Sequence, residues 1–165
     1  MLLVGLVAAG KSAVLEAVAA ATGWPGLDDE LLLERSSGTS ARALLASGGE
    51  AALRSAELDV LTLTLSMPPP LVASVASAAV LAERDRERLR GGGHVVWLRA
   101  SVPTLVRRLA RQASPTLPPG EPVAVLQTLA RERDPLYAEV AHQVVDMDVL
   151  TPAQAARQVV SAVRP

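Results

Sequence analysis

Gly5-Leu6-Val7-Ala8-Ala9-Gly10-Lys11-Ser12 matches the pattern G-x-x-x-x-G-K-[S/T] at every fixed position. The apolar run Met1 to Val4 precedes it, and an apolar-periodic stretch from Lys11 to Thr22 follows. The spacing therefore predicts a buried strand, a tight turn and a helix. Glycines let backbone N–H groups curl around phosphate oxygens, and the helix N-terminus adds further donors and a favourable dipole. In such a loop the lysine reaches the β- and γ-phosphates and the serine hydroxyl ligates Mg²⁺. Gly5, Ala8, Ala9, Gly10, Lys11, Ser12 and Ala13 are thus the expected nucleotide contacts, with Lys11 also catalytic and Ser12 also a metal ligand. The bland alternative is a chance glycine turn. Against it, the chain has 16 basic residues and its single lysine is Lys11, the rest being arginine.

Outward from this loop, short β-like runs alternate with helical stretches. Trp24 to Leu27 leads into the acidic cluster Asp28-Asp29-Glu30, and helical segments are expected near 30–35, 39–46 and 49–64, ended by Pro68 to Pro70. Leu71 to Val75 reads as a strand, Val80 to Arg90 as a polar-faced helix, Gly91 to Gly93 as a turn and His94 to Leu98 as a buried strand. A helix over Val102 to Gln112, a proline-bearing loop over Ala113 to Gly120 and a helix over 121–131 follow. Gln143 to Val145 is the last expected strand and Pro152 to Val163 the closing helix. Strands alternating with helices imply a parallel sheet covered on both faces.

Composition narrows the function. The 165 residues fit one compact domain, 1–165, and 50% hydrophobic against 20% charged residues is a globular balance. A chain with no cysteine has no disulfide framework and no thiolate metal site, and two histidines, His94 and His142, are too few for a histidine-built centre. In their apolar surroundings they read as packing residues. A net charge of −1 and 2% aromatics argue against nucleic acid as a partner. The charge run Glu83 to Arg88 alternates in sign, as a solvated helix face does. No apolar run is long enough to span a membrane, and Met1 to Ala9 lacks the basic start and small-residue cleavage pattern of a signal peptide. The expectation is a cytoplasmic protein, monomeric in the absence of a heptad pattern.

Beyond the loop lie Asp28-Asp29-Glu30, Leu33-Glu34, Gly38, Gly49-Glu50-Ala51-Ala52-Leu53-Arg54-Ser55-Ala56-Glu57 and Arg133-Asp134-Pro135-Leu136-Tyr137. In this order and spacing the chain resembles the shikimate kinase family over nearly its whole length. The resemblance implies an α/β, three-layer P-loop NTPase fold with a five-stranded parallel sheet, a substrate-binding helical region at about 29–64 and a lid at about 113–120. It implies ATP and Mg²⁺, with ADP as product and a small carboxylate-bearing metabolite as acceptor. Residue by residue, it places Asp28 on Mg²⁺ through water and Glu30 on the acceptor's hydroxyls, helping to take a proton. Arg54 and Arg133 clamp the acceptor's carboxylate, which suits the planar fork of arginine. Glu57 orients Arg54, while Ser77 and Ala78 line the acceptor. Arg108 lies against adenine, with Pro152 on the loop bordering the other side of the base.

Each of these residues has a plainer reading. Glu50, Arg54 and Glu57, at i, i+4 and i+7, would make a surface ion-pair ladder worth a few tenths of a kcal/mol per pair. Arg131-Glu132-Arg133 reads as a solvated helix end, and Asp28-Asp29-Glu30 as acids favoured by a helix dipole.

Three departures from the family pattern bear on the acceptor and the lid. Ala76-Ser77-Ala78 stands where the family has three glycines, and the added Cβ atoms narrow the pocket. Ser114-Pro115-Thr116 stands where the lid has Arg-Pro-Leu; Arg111, one helical turn earlier, is the candidate replacement for the missing charge. Glu30 replaces an aspartate with a longer arm, and a catalytic base has to come within about 3 Å of its proton. Three functions remain open at this stage: transfer of the γ-phosphate to the 3-hydroxyl of shikimate, a kinase for another hydroxy acid such as gluconate, and a non-catalytic ATP-binding module.

Overall fold

The computed structural model describes residues 1–111 and 117–163. Five parallel strands form one sheet in the order β2-β3-β1-β4-β5: β1 Leu2–Val4, β2 Gly26–Leu27, β3 Val72–Ser74, β4 Val95–Arg99 and β5 Gln143–Asp146. Seven helices connect and flank them among the described residues: α1 Lys11–Thr22, α2 Asp29–Ser37, α3 Ala41–Ser66, α4 Glu83–Gly92, α5 Val102–Leu109, α6 Pro122–Val140 and α7 Pro152–Val163. This is the expected three-layer α/β fold.

Side chains on a strand alternate between the two faces, so a strand with every residue buried is covered on both. Leu2, Leu3 and Val4 are all buried, as are Val72 and Ala73 on one flank of β1 and Val95 to Leu98 on the other. In register, Leu2 faces Ala73 and Val95, and Val4 faces Trp97. α1 packs on α7, while α4 and α5 pack on α6. The carboxyl ends of the strands therefore open on one edge, where ligands bind in open parallel sheets.

Several boundaries differ from the sequence reading for identifiable reasons. β2 is two residues long, too short to carry periodicity, and is held by pairing of Gly26 and Leu27 with Val72 and Ala73. Gly91 and Gly92 complete α4 rather than forming a turn, and Gly93 caps it. The segments expected near 39–46 and 49–64 form one element, α3, bent at Gly49, whose φ of 69° breaks the helical run. The helix expected over 121–131 continues to Val140 through Pro135. Burial of Tyr137 and Val140 keeps the last turn in place despite the lost amide donor.

Candidate active site

β1 ends at Val4 and the chain turns at Gly5, with φ +148°; a Cβ there would stand 2.7 Å from the Leu98 carbonyl oxygen of β4. The close approach of two backbones admits no side chain at this position. The loop closes on Gly10, the left-handed N-cap of α1, and Val14 N–H donates to its carbonyl. Ala8 takes a φ of 61°, in the left-handed region despite its Cβ.

Lys11 curls back over this loop, its Nζ donating to the carbonyls of Gly5 at 3.2 Å and Leu6 at 3.4 Å. Ser12 Oγ donates to Asp28 Oδ2 at 2.6 Å. Asp28 also caps α2: its Oδ1 accepts from the amides of Glu30 at 3.1 Å and Leu31 at 3.2 Å. Ser74, at the carboxyl end of β3 and 2% exposed, completes this turn. It accepts from Asp29 N–H at 2.9 Å, and its hydroxyl lies against Asp29 Oδ1 and 3.4 Å from Asp28 Oδ2.

From the loop a cavity of about 620 Å³ extends toward α2, α3 and α6. Gly10, Lys11, Ser12 and Ala13 line its phosphate end, and Glu30, Arg54, Glu57, Ser77, Ala78 and Arg133 line the remainder. Of the residues whose joint spacing carried the resemblance, Glu30, Leu33, Glu50, Arg54, Glu57 and Arg133 thus converge on one space. Glu50, Arg54 and Glu57 face that space, and no ion pair links the three among the described residues, so the surface ladder is not formed.

Two arginines reach the strap after β3. Arg54 Nη1 donates to the Ala78 carbonyl at 3.4 Å, and Arg133 Nη1 to Ser77 Oγ at 3.0 Å. The Tyr137 hydroxyl donates to the Ser77 carbonyl at 2.7 Å. No hydrogen bond or ion pair joins Glu57 to Arg54 among the described residues, although the Arg54 charge acts on the Glu57 carboxyl. Burial pushes the Glu57 carboxyl up to about 7, Asp29 adds to this, and Arg133, Arg54 and Lys11 oppose it. Glu30, exposed at the rim, is also pushed up, first by partial desolvation in the cleft and then by Asp29, with Lys11 opposing.

Other expected contacts lie outside this cavity. Arg108 bridges the Ala9 carbonyl at 3.0 Å and the Met147 carbonyl at 2.6 Å, fastening the phosphate loop to the segment after β5. Pro152 is exposed as the first residue of α7. Arg111 is exposed beyond α5 and is not among the cavity residues. Ser114, Pro115 and Thr116 of the expected lid lie outside the described residues, whereas Leu117 and Pro118 line the cavity. His142 Nδ1 accepts from Val95 N–H at 3.0 Å and its ring stacks on His94 at 5.6 Å, away from the cavity.

Two positions at the cavity were not singled out from sequence. Asp29 lines the cavity, and Ser74 ties it to the sheet. The signals were a second acid inside Asp28-Asp29-Glu30 and a hydroxyl ending an otherwise apolar strand.

Comparison with known proteins gives the family. The family model for shikimate kinase matches residues 7–164. A shikimate kinase of Paracidovorax citrulli is 40% identical over 145 residues, covering 87% of this chain and 79% of that protein. One of Xanthomonas euvesicatoria is 35% identical over 161 residues, covering 97% and 89%. The structure of the Acinetobacter baumannii shikimate kinase in complex with shikimate superposes with a TM-score of 0.91 at 30% identity, covering 98% of this chain and 90% of that one. Sequence match, superposition and the convergence of Lys11, Arg54 and Arg133 on one cavity lead to the same result: the chain belongs to the shikimate kinase family.

Proposed function

We propose that the protein transfers the γ-phosphate of ATP to the 3-hydroxyl of shikimate. The observation that carries this reading is one cavity with the phosphate loop at one end and two arginines, Arg54 and Arg133, toward the other. That spacing suits an acceptor with a carboxylate to be clamped and a hydroxyl to be turned toward a phosphate.

The acceptor oxygen attacks the γ-phosphorus, the bond to the β,γ-bridging oxygen breaks, and ADP leaves. The hydroxyl proton passes to the carboxylate of Glu30, whose raised basicity suits that task. Lys11 needs only to exchange its two loop carbonyls for phosphate oxygens. Ser12 Oγ and Asp28 Oδ2, 2.6 Å apart, form an oxygen-donor pair that fits Mg²⁺, a cation bound by few protein oxygens together with phosphates and waters. Mg²⁺ held there supplies charge neutralisation at the β- and γ-phosphates. Arg54 and Arg133 bind the carboxylate, Arg108 holds the nucleotide loop, and Pro152 borders the base. The reaction is completed within one chain, a monomer.

The test is ADP release from ATP and Mg²⁺ with and without shikimate, with Lys11→Ala as the blank. Shikimate-dependent release that vanishes in the blank is expected. ATP binding without stimulation by shikimate would sink the reading and leave a gluconate-type acceptor or a non-catalytic module.

A further inference from the structure

Residues 76–78 replace the glycines of the family pattern, and the replacement brings a hydroxyl into the cavity wall. Tyr137, with no exposed surface, holds the Ser77 carbonyl at 2.7 Å and so fixes the backbone that carries this hydroxyl. Ser77 Oγ then accepts from Arg133 Nη1 at 3.0 Å. A glycine or an alanine at position 77 offers no side-chain acceptor to that donor.

Arginine has five N–H donors, and their use decides what remains for a ligand. With one Nη1 proton on Ser77, Arg133 is still underused. Its Nε is buried without a hydrogen-bond partner, Glu132 Oε2 at 3.5 Å making an ion contact without hydrogen-bond geometry. The side chain is 12% exposed, so water does not compensate freely. This guanidinium has the Ser77 hydroxyl as its acceptor, neighbours the Tyr137 hydroxyl and Glu132, and keeps its Nε unpaired for an anion.

We propose that Ser77 is a positioning residue for acceptor recognition. Its hydroxyl pins Arg133 through Nη1, holding the guanidinium in its carboxylate-binding orientation before the acceptor arrives. A positioning contact of this kind lowers the ordering cost of binding and acts on acceptor affinity rather than on the phosphoryl-transfer step. The inference rests on the shikimate kinase reading above and deepens it.

The experiment compares wild type, Ser77→Ala, Ser77→Gly and Arg133→Lys with the double variant Ser77→Ala/Arg133→Lys, using shikimate and ATP as varied substrates. Loss of one hydrogen bond to a charged group predicts a rise of about tenfold in the KM for shikimate in both Ser77 variants. The KM for ATP and kcat are expected to stay within about threefold, because nothing at the phosphate end changes. In the Arg133→Lys background, Ser77→Ala is expected to add less than about twofold, the mark of a residue acting through Arg133. An unchanged KM for shikimate in both Ser77 variants overturns the proposal, as does a full tenfold effect that persists in the Arg133→Lys background. If wild type shows no shikimate-dependent turnover at all, the functional reading falls and this inference falls with it. An active wild type with insensitive Ser77 variants removes this inference alone.

Discussion

Ser12 Oγ and Asp28 Oδ2 lie 2.6 Å apart, so the first turn of α1 is hydrogen-bonded to the N-cap of α2 across 16 residues of sequence. The same carboxylate does two jobs, since its other oxygen caps α2 through Glu30 N–H and Leu31 N–H. Asparagine caps helices about as well as aspartate but carries no charge. Asp28→Asn is therefore expected to change stability by less than about 0.5 kcal/mol while raising the Mg²⁺ concentration for half-maximal rate about tenfold. A Mg²⁺ titration at fixed ATP beside a thermal melt checks this, and an equal Mg²⁺ requirement in the two proteins would remove Asp28 from the metal site.

Glu57 makes stability depend on pH in an unusual direction. Its carboxyl titrates at about 7 in the folded protein against 4.5 for a free glutamate. The folded state thus holds a proton that the unfolded state has released between these values. The favourable contribution is complete below about pH 4.5 and is lost as pH rises to about 7. Glu57→Gln removes the titration. Relative to wild type it is expected to be unchanged near pH 4.5 and more stable near pH 8 by about 2 kcal/mol. Urea unfolding at the two pH values checks it; a stability difference independent of pH would contradict the buried, proton-retaining state of Glu57.

Asp29 acts on the proposed base through charge. It raises both Glu30 and Glu57, after desolvation in each case. Asp29→Asn keeps an oxygen for the Ser74 hydroxyl and removes the negative neighbour. With that repulsion gone, Glu30 loses its proton at lower pH, so the acidic limb of the pH profile of kcat/KM is expected to move to lower pH. A limb that stays in place would assign it to another group.

Legibility in the sequence followed how local each signal was. The loop Gly5 to Ser12, helix α1 and helix α7 were readable to the residue, because strand, glycine turn and apolar period are set by neighbours in sequence. β2 was not, since two residues become a strand only by pairing with β3. Pro135 signals a break, yet α6 runs through it because Tyr137 packs beneath the sheet and tilts against Trp97. Arg54 and Arg133 were readable as site candidates only as members of a spaced set, and the structure supplies what spacing omits: both hold the strap at 77–78. Ser74 and Asp29 are joined across 45 residues by a hydrogen bond that leaves no sequence pattern.

The phosphate loop itself carries a strained residue. Ala8 sits at φ 61°, where its Cβ crowds the backbone at a cost of about 1 kcal/mol, whereas glycine adopts this region freely. Glycine loses more backbone freedom on folding, which offsets part of the gain. Ala8→Gly is expected to raise stability by several tenths of a kcal/mol and leave ATP binding within about threefold. The neighbouring glycine behaves oppositely. At Gly5 the Cβ of alanine would meet the Leu98 carbonyl oxygen at 2.7 Å, and that atom belongs to β4, paired on both sides by β1 and β5, and cannot swing aside. Gly5→Ala must therefore displace the start of the loop and with it the two carbonyls that hold Lys11. A loss of stability of about 2 kcal/mol and a fall in ATP affinity are expected together. Thermal melts with and without ATP on the two variants separate the cases: Ala8→Gly should melt higher than wild type with a normal ATP shift, and Gly5→Ala lower with a reduced one. A Gly5→Ala protein with a normal ATP shift would show that the loop absorbs the Cβ and that the approach to β4 is not what sets its shape.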